Sequence, residues 1–343
     1  MNAEILYLIT FAVALFISLA ATPLCRVLAK KFNVLDKPIS KIKTHKVSTP
    51  YLGGIAIALG WVISLFIIRY ATDFPNGTLR SLRGIMIGAF IVLLLGLIDD
   101  IKFKGLGFKS KFLIQFAAAC VVVFGFDIRI NFISVYWLSC LVSVIWIMGI
   151  TNAFNIIDIM DGLSSGIAVI ASLAFLFISL PTEEIYVNFC AIALAGAILG
   201  FMPYNLSKSK KIFMGDTGSL FIGFILASLS MGTKYTALHE VGLLAPLLIL
   251  AIPIYEVFLV SWFRIRKGIL PFMGSKDHYA LRLEMMGLKR KNILLITYGV
   301  GIALSVCAYL LTKLDALNSL MLSLFILICL WMASMKLASV KVD

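Results

Sequence analysis

Four short polar clusters interrupt a chain that is otherwise apolar, and they hold the residues able to do chemistry. Asp99 and Asp100 end an apolar run in GLIDDIK. Asn152, Asn155, Asp158 and Asp161 follow in TNAFNIIDIMDGLSSG, Asp216 stands in KIFMGDTGS, and Asp277, His278 and Arg282 share one basic loop. Adjacent carboxylates at the edge of an apolar segment cost free energy unless a cation or a proton offsets them. On a helix Asp99 and Asp100 point about 100° apart, so the two serve different tasks. The plain alternative is a solvated helix end with Lys102 and Lys104 as partners.

The second cluster repeats a carboxamide or carboxylate at every third position, and on a helix such residues are neighbours along one stripe. Asn and Asp are poor helix-interior residues, and N-capping accounts for one of the four. Asp216 precedes small residues and an apolar run, which reads as an N-cap, an anion-binding helix start or a metal ligand. Phe213, three residues earlier, is an interfacial aromatic or a stacking platform for a base. His278 lies among cations, where a phosphate-rich ligand is welcome and a solvated loop histidine is the plain reading. Carboxylates and cations facing one compartment suit a metal-bridged polyphosphate.

The elements that position these clusters follow from composition. Hydrophobic residues make up 61% and charged residues 14% of the 343. That is too much apolar surface for soluble cores to hide, so lipid must take the place of a core. The apolar runs are continuous rather than alternating, which predicts an all-α polytopic membrane protein. Spans are expected at 4–22, 51–69, 84–98, 112–126, 133–151, 163–180, 186–204, 218–233, 242–262, 293–311 and 318–335. This is a bundle of eleven helices, or ten because several runs are short. The first run lacks a basic n-region and reads as a retained helix rather than a signal peptide.

The net charge of +13 does not mark a nucleic-acid binder, because its distribution is topological. With the N-terminus outside, 24 of the 30 Lys and Arg residues fall in inner loops and the tail. This predicts a cytoplasmic C-terminus in the inner or plasma membrane, with anionic-lipid contact at the inner face. All four clusters then face the cytoplasm, where nucleotide-activated substrates are found, and the membrane setting points to a lipid as the other substrate. The chain reads as a single domain, 1–343, with active-site loops at 23–50, 99–111, 152–162, 205–217 and 264–292. Six cysteines sit in or at the ends of apolar runs without a CxxC pair, and indicate neither a disulfide framework nor a zinc site.

GLIDD, NxxNxxDxxDGL and FMGDTGS, in that order, resemble the polyprenyl-phosphate N-acetylhexosamine-1-phosphate transferases, the MraY/WecA superfamily, nearer its GlcNAc-1-phosphate branch. His45 to Gly54 resembles that family's first cytoplasmic loop, and Pro253-Ile254-Tyr255-Glu256 its PIxD motif. The resemblance implies exchange of the phosphoanhydride of a UDP-sugar for that of a lipid-linked sugar on polyprenyl (undecaprenyl) phosphate. UMP leaves, Mg²⁺ or Mn²⁺ is the cofactor, and the product feeds cell-envelope polysaccharide synthesis. It further implies Asp99, Asp100 and Asp158 as catalytic residues and Asp216 as the metal ligand. Lys46, Asn155, Asp161, Phe213, His278 and Arg282 are implied as substrate-binding. A homodimer is compatible with this reading and not specified by it.

The chain departs from the pattern in three places. Ile159 stands where relatives carry Gly, and Glu256 stands for Asp. The HxHHR pattern of the large loop reads His278-Tyr279-Ala280-Leu281-Arg282, with two of three histidines missing. Two other classes stay open: an ion-coupled secondary transporter built around Glu256, the one carboxylate well inside an apolar segment, and an inactive relative acting as a scaffold. His278 and Arg282, at i and i+4, are expected to clasp one substrate group together.

Overall fold

The computed structural model of the protein describes residues 3–36, 47–72, 76–102, 105–182, 185–235, 240–271 and 275–340. The long apolar runs form helices that satisfy their own backbone groups. α1 is Ala3–Lys31, α2 Gly53–Ala71, α3 Asn76–Ile101, α4 Phe108–Cys120, continued by a π turn at Val121–Gly125, and α5 Tyr136–Ile157. α6 is Leu163–Ser179, α7 Ile185–Asn205, α8 Gly215–Gly232, α9 Ala245–Ile249 and α10 Ala251–Arg266. α11 is Tyr279–Met285, α12 Arg290–Leu311 and α13 Ala316–Ala338. Between α1 and α2, two-residue strands β1 (Leu35–Asp36) and β2 (Thr49–Pro50) pair antiparallel, with Leu35 opposite Pro50 and Asp36 opposite Thr49.

Among the described residues, eight helices are long and apolar enough to cross a membrane, or nine if the bent pair Glu240–Ile249 and Ala251–Arg266 is one span. The count of eleven is therefore not reached on length and composition. The runs predicted at 163–180 and 218–233 form α6 and α8, both short and enclosed by other helices. The run at 242–262, expected as one straight span, bends by 69°. Pro253 supplies the reason: its ring excludes a bond to the carbonyl of Ile249, so helix ends before it and restarts at Ala251.

α7 lies at the centre, with 78% of its most apolar stretch buried, against 17% for α13 at the periphery. α1 packs on α7 and α2, and α8 is held by α3 and α5. Large side chains such as Leu8, Trp137 and Phe325 stay exposed, forming the apolar outer surface lipid requires. Small residues set how closely the helices approach. A Cβ on Gly54 would lie 2.2 Å from the backbone nitrogen of Gly218, and one on Gly96 2.5 Å from the carbonyl oxygen of Asp216. Glycine at both places lets α2 and α3 touch the first turn of α8, which brings Asp99 and Asp100 to Asp216.

Candidate active site

The polar clusters meet at one end of the bundle in a cleft of about 230 Å³. Asp36 and Tyr51 reach it from the α1–α2 connection, Asn155 from the last turn of α5, and Asp158 and Asp161 from the α5–α6 turn. Lys211, Phe213 and Asp216 come from the α7–α8 connection, with Ser275, His278, Leu281 and Arg290 from the large loop and the start of α12. The segment before α8 is placed by backbone pairing: Phe213 N–H donates to Pro50 O at 2.9 Å, and Gly53 and Gly54 N–H donate to the carbonyls of Phe213 and Met214, each at 3.0 Å. The Phe213 ring lies beside Tyr51, centroids 6.2 Å apart, and Lys211 Nζ sits 5.0 Å above it. Lys211 also pairs with Asp161 at 2.6 Å, closing one wall.

Asp99 and Asp100 diverge as their helical spacing requires. Asp100 receives the N–H of Asp216 at 2.9 Å, the N–H of Thr217 at 3.0 Å and the Thr217 hydroxyl at 2.6 Å. It therefore satisfies the open amides of the α8 N-terminus from another helix. Gly215 adopts φ +70°, and a Cβ there would fall 2.2 Å from Asp100 Oδ2, so the motif needs glycine at this position. Both Asp100 oxygens are engaged in positioning α8, a task beside the catalytic one that the resemblance implies. Asp216 is not the N-cap: Met214 holds that place, and Asp216 carries its carboxylate into the cleft from the first turn.

Asp99 faces the other way. Its Oδ1 accepts Leu106 N–H at 2.5 Å and its Oδ2 lies 2.8 Å from Lys111 Nζ. Lys111 also reaches Asp216 Oδ2 at 2.6 Å, while Asn155 donates to Asp216 Oδ1 at 2.9 Å and to Ser219 Oγ at 3.0 Å. One cation thus already bridges two carboxylates. No group of three His, Cys, Asp or Glu able to hold a metal occurs among the described residues. A divalent ion of the magnesium type takes one or two protein carboxylates and completes its shell with water and phosphate oxygens. The oxygens of Asp216 and Asp99 fit that pattern.

The predicted polar stripe is helical only in part. α5 ends at Ile157, Asp158 sits in the following turn, and Gly162 takes φ +80° before α6 starts. Asn152 turns away to Gln115 of α4. Asp158 and Asp161 reach the cleft because the helix stops. Burial, with the Asp216, Asp161 and Asp100 carboxylates nearby, pushes the Asp158 carboxyl well above the ordinary carboxylate range.

His278 and Arg282 do not form a clasp. His278 lines the cleft, and its Nδ1 bonds Glu256 Oε1 at 2.7 Å. Glu256, fully buried, also accepts Tyr279 N–H at 3.2 Å, so it holds the start of α11. The Arg282 guanidinium points away, into protein. It bonds the Asp277 carboxylate at 3.1 Å and the carbonyls of Leu337 and Val340 at 3.2 and 2.6 Å, and it stacks 3.6 Å over Phe263. Arg282, 1% exposed, ties the end of α13 to the loop and does not line the cleft where the resemblance would have it meet substrate. Lys46 and His45 lie outside the described residues.

Sequence reasoning passed over Lys111 as one more loop cation, and it missed Asp36, Tyr51, Asn205 and Lys211. Asn205 accepts Gly162 N–H at 2.8 Å and donates to Ile212 O at 3.1 Å, pinning two cleft segments together. Nothing around it in the sequence marks that duty.

The fold and site define a multi-pass helical membrane protein whose carboxylates, amides and cations converge on a cleft at one end. The model of glycosyl transferase family 4 matches residues 82–234, the stretch holding the acidic pair, the α5–α6 turn and Asp216. The chain is 32% identical over 331 residues to a probable undecaprenyl-phosphate N-acetylglucosaminyl 1-phosphate transferase of Bacillus subtilis, covering 94% of this chain and 88% of the relative. It is 30% identical to the decaprenyl-phosphate N-acetylglucosaminephosphotransferase of Mycobacterium tuberculosis, over 83% of this chain and 77% of the relative. With the phospho-N-acetylmuramoyl-pentapeptide-transferase of Limosilactobacillus fermentum it shares 33% identity, over 71% and 76%. The chain belongs to this family of membrane sugar-phosphate transferases.

Proposed function

We propose that the protein transfers a sugar 1-phosphate from a UDP-sugar to polyprenyl phosphate, releasing UMP and making a lipid-linked precursor for the cell envelope. N-acetylglucosamine is the sugar named for both the Bacillus subtilis and the Mycobacterium tuberculosis relatives, and undecaprenyl phosphate is the acceptor named for the first. The observation that carries the reading is the convergence of Asn155, Asp158, Phe213, Asp216 and His278 on one cleft, with Asp99 and Lys111 directly behind Asp216.

The reaction exchanges one phosphoanhydride for another. An oxygen of the lipid phosphate bonds the sugar-bearing β-phosphorus, the bond from that phosphorus to the bridging oxygen breaks, and UMP leaves with the electron pair. The demands are neutralised charge and an in-line approach. Phe213 and Tyr51 offer the surface for the uracil ring, Lys211 and Arg290 the positive side of the cleft for the diphosphate, and His278 a further hydrogen-bonding group beside them. Asp216, with Asp99 beside it, would hold Mg²⁺, which supplies charge neutralisation at the diphosphate when bound. Asn155 fixes the Asp216 carboxylate through Oδ1. Asp100 fixes its backbone, so Asp216 keeps one position as charge moves. Asp99 and Lys111, outside the cleft lining, stand on the side from which the lipid phosphate would approach.

The 24-to-6 division of cations supports a cytoplasmic site, the compartment of UDP-sugars. Glu256 is satisfied by His278 and Tyr279 rather than aimed into a passage, which disfavours the transporter alternative. The test is direct. Purified protein is incubated with undecaprenyl phosphate, Mg²⁺ and a panel of UDP-sugars, and UMP release is measured. Release with UDP-N-acetylglucosamine is expected, and no release with any sugar refutes the reading.

A further inference from the structure

Among the described residues, Lys111 is the cation that touches both Asp99 and Asp216, at 2.8 and 2.6 Å, with all three side chains largely withdrawn from solvent. An ammonium so placed holds the Asp216 oxygen that a metal needs. A magnesium-type ion bonds carboxylate oxygen at about 2.1 Å, so on Asp216 Oδ2 it would sit at most about 4.7 Å from Lys111 Nζ at its present 2.6 Å. Two cations that close, in a half-buried site, repel strongly. The second Asp216 oxygen accepts from Asn155 at 2.9 Å, which orients the carboxylate and leaves Oδ2 toward the lysine.

We propose that Lys111 is a resident counter-cation that a divalent metal must displace from Asp216 and Asp99, so that metal entry and release of the lysine are one exchange. The proposal rests on the metal-dependent transferase reading above. The exchange keeps a cation between the two carboxylates when no metal is bound, where a bare pair of acids at the end of a membrane helix would be costly. It also weakens metal binding to the free protein and favours metal arriving on the substrate diphosphate. Lys111 sits in the first turn of α4, so its freed ammonium stays tethered beside the site and is available to the incoming lipid phosphate.

Coupling is reciprocal: what the lysine takes from metal affinity, the metal takes from lysine occupancy. The probe is Mn²⁺, titrated into nucleotide-free protein in detergent and read by electron paramagnetic resonance. Lys111→Met should bind Mn²⁺ roughly tenfold tighter than wild type or better, whereas Lys111→Arg, which keeps the charge, should bind within about threefold of wild type. In wild-type protein, modification of Lys111 by an amine-reactive reagent, read by peptide mass spectrometry, should be slow in chelator and faster at saturating Mn²⁺. If Lys111→Met is unstable in chelator, Mn²⁺ should raise its Tm more than it raises that of wild type. Equal or weaker Mn²⁺ binding by Lys111→Met, or Lys111 labelling indifferent to Mn²⁺, overturns the exchange and leaves the transferase reading standing. Wild-type protein that binds no Mn²⁺ and transfers in chelator removes the metal reading itself.

Discussion

Asp99 and Asp100 share a motif and a chemistry, yet the backbone sends one to Lys111 and the other to the amides of α8. Asp100→Asn replaces an oxygen accepting N–H groups with an amide that also donates, so it should destabilise the fold by about 2 kcal/mol and misplace Asp216. Asp99→Asn keeps an acceptor for Leu106 N–H, so it should leave the Tm nearly unchanged while transfer falls at least tenfold. Thermal unfolding in detergent beside UMP release separates the two. Equal losses of stability would contradict the division. Phe213 belongs at the same scale: Phe213→Ala should raise the KM for the UDP-sugar about tenfold with little change in kcat, as loss of base stacking would. A steady-state titration of the UDP-sugar checks it, and an unchanged KM would move uracil elsewhere. Which carboxylates and amides gather near the cleft was largely legible in the sequence, because such groups are conspicuous in an apolar chain. Which partner each one chose was not. Lys111 is one of 30 cations, and only the approach of α4 to α3 and α8 singles it out.

At the scale of elements, the long helices were readable because continuous apolar runs have few alternatives in lipid. Two features escaped. The polar stripe read as helical becomes a turn after Ile157, because Gly162 can take φ +80° and carry the chain back. The spacing alone did not reveal this. The other is the large loop, where His278 and Arg282 lie one turn apart and face different partners. His278 precedes α11 with extended backbone and reaches the cleft, while Arg282, inside α11, turns to the C-terminal end of α13. Glu256 explains part of the arrangement, since its two oxygens hold the His278 ring and the Tyr279 amide together. Arg282→Ala would leave Asp277 buried without one of its two cations and would remove the guanidinium that bonds the Leu337 and Val340 carbonyls. A loss of about 3 kcal/mol is expected, with the KM for both substrates within twofold of wild type in the protein that remains folded. A raised nucleotide-sugar KM without loss of Tm would restore the clasp that the sequence spacing suggested.

At the scale of the whole molecule, the ends of the helices decide the topology. α1 finishes at the site-bearing end, since Val34 pairs with Tyr51, which lines the cleft. α13 finishes there as well, since its last carbonyls bond Arg282. The described chain therefore starts at one end of the bundle and finishes at the other, which requires an odd number of passes. The second cavity, lined by Arg129 and Lys234, lies on connections that alternate with those of the active site and so belongs to the opposite end. Among the described residues most of the positive ones stand at the site-bearing end, and the charge rule is the ground for the proposal that this end faces the cytoplasm. A cysteine-substitution experiment tests this with exposed positions outside the cleft, in a background with the six native cysteines replaced. Lys234→Cys should react with a membrane-impermeant maleimide in intact cells, and Lys208→Cys only after the membrane is opened. The reverse pattern would place the cleft outside, away from UDP-sugars, and neither the proposed donor nor the direction of the pathway could survive it.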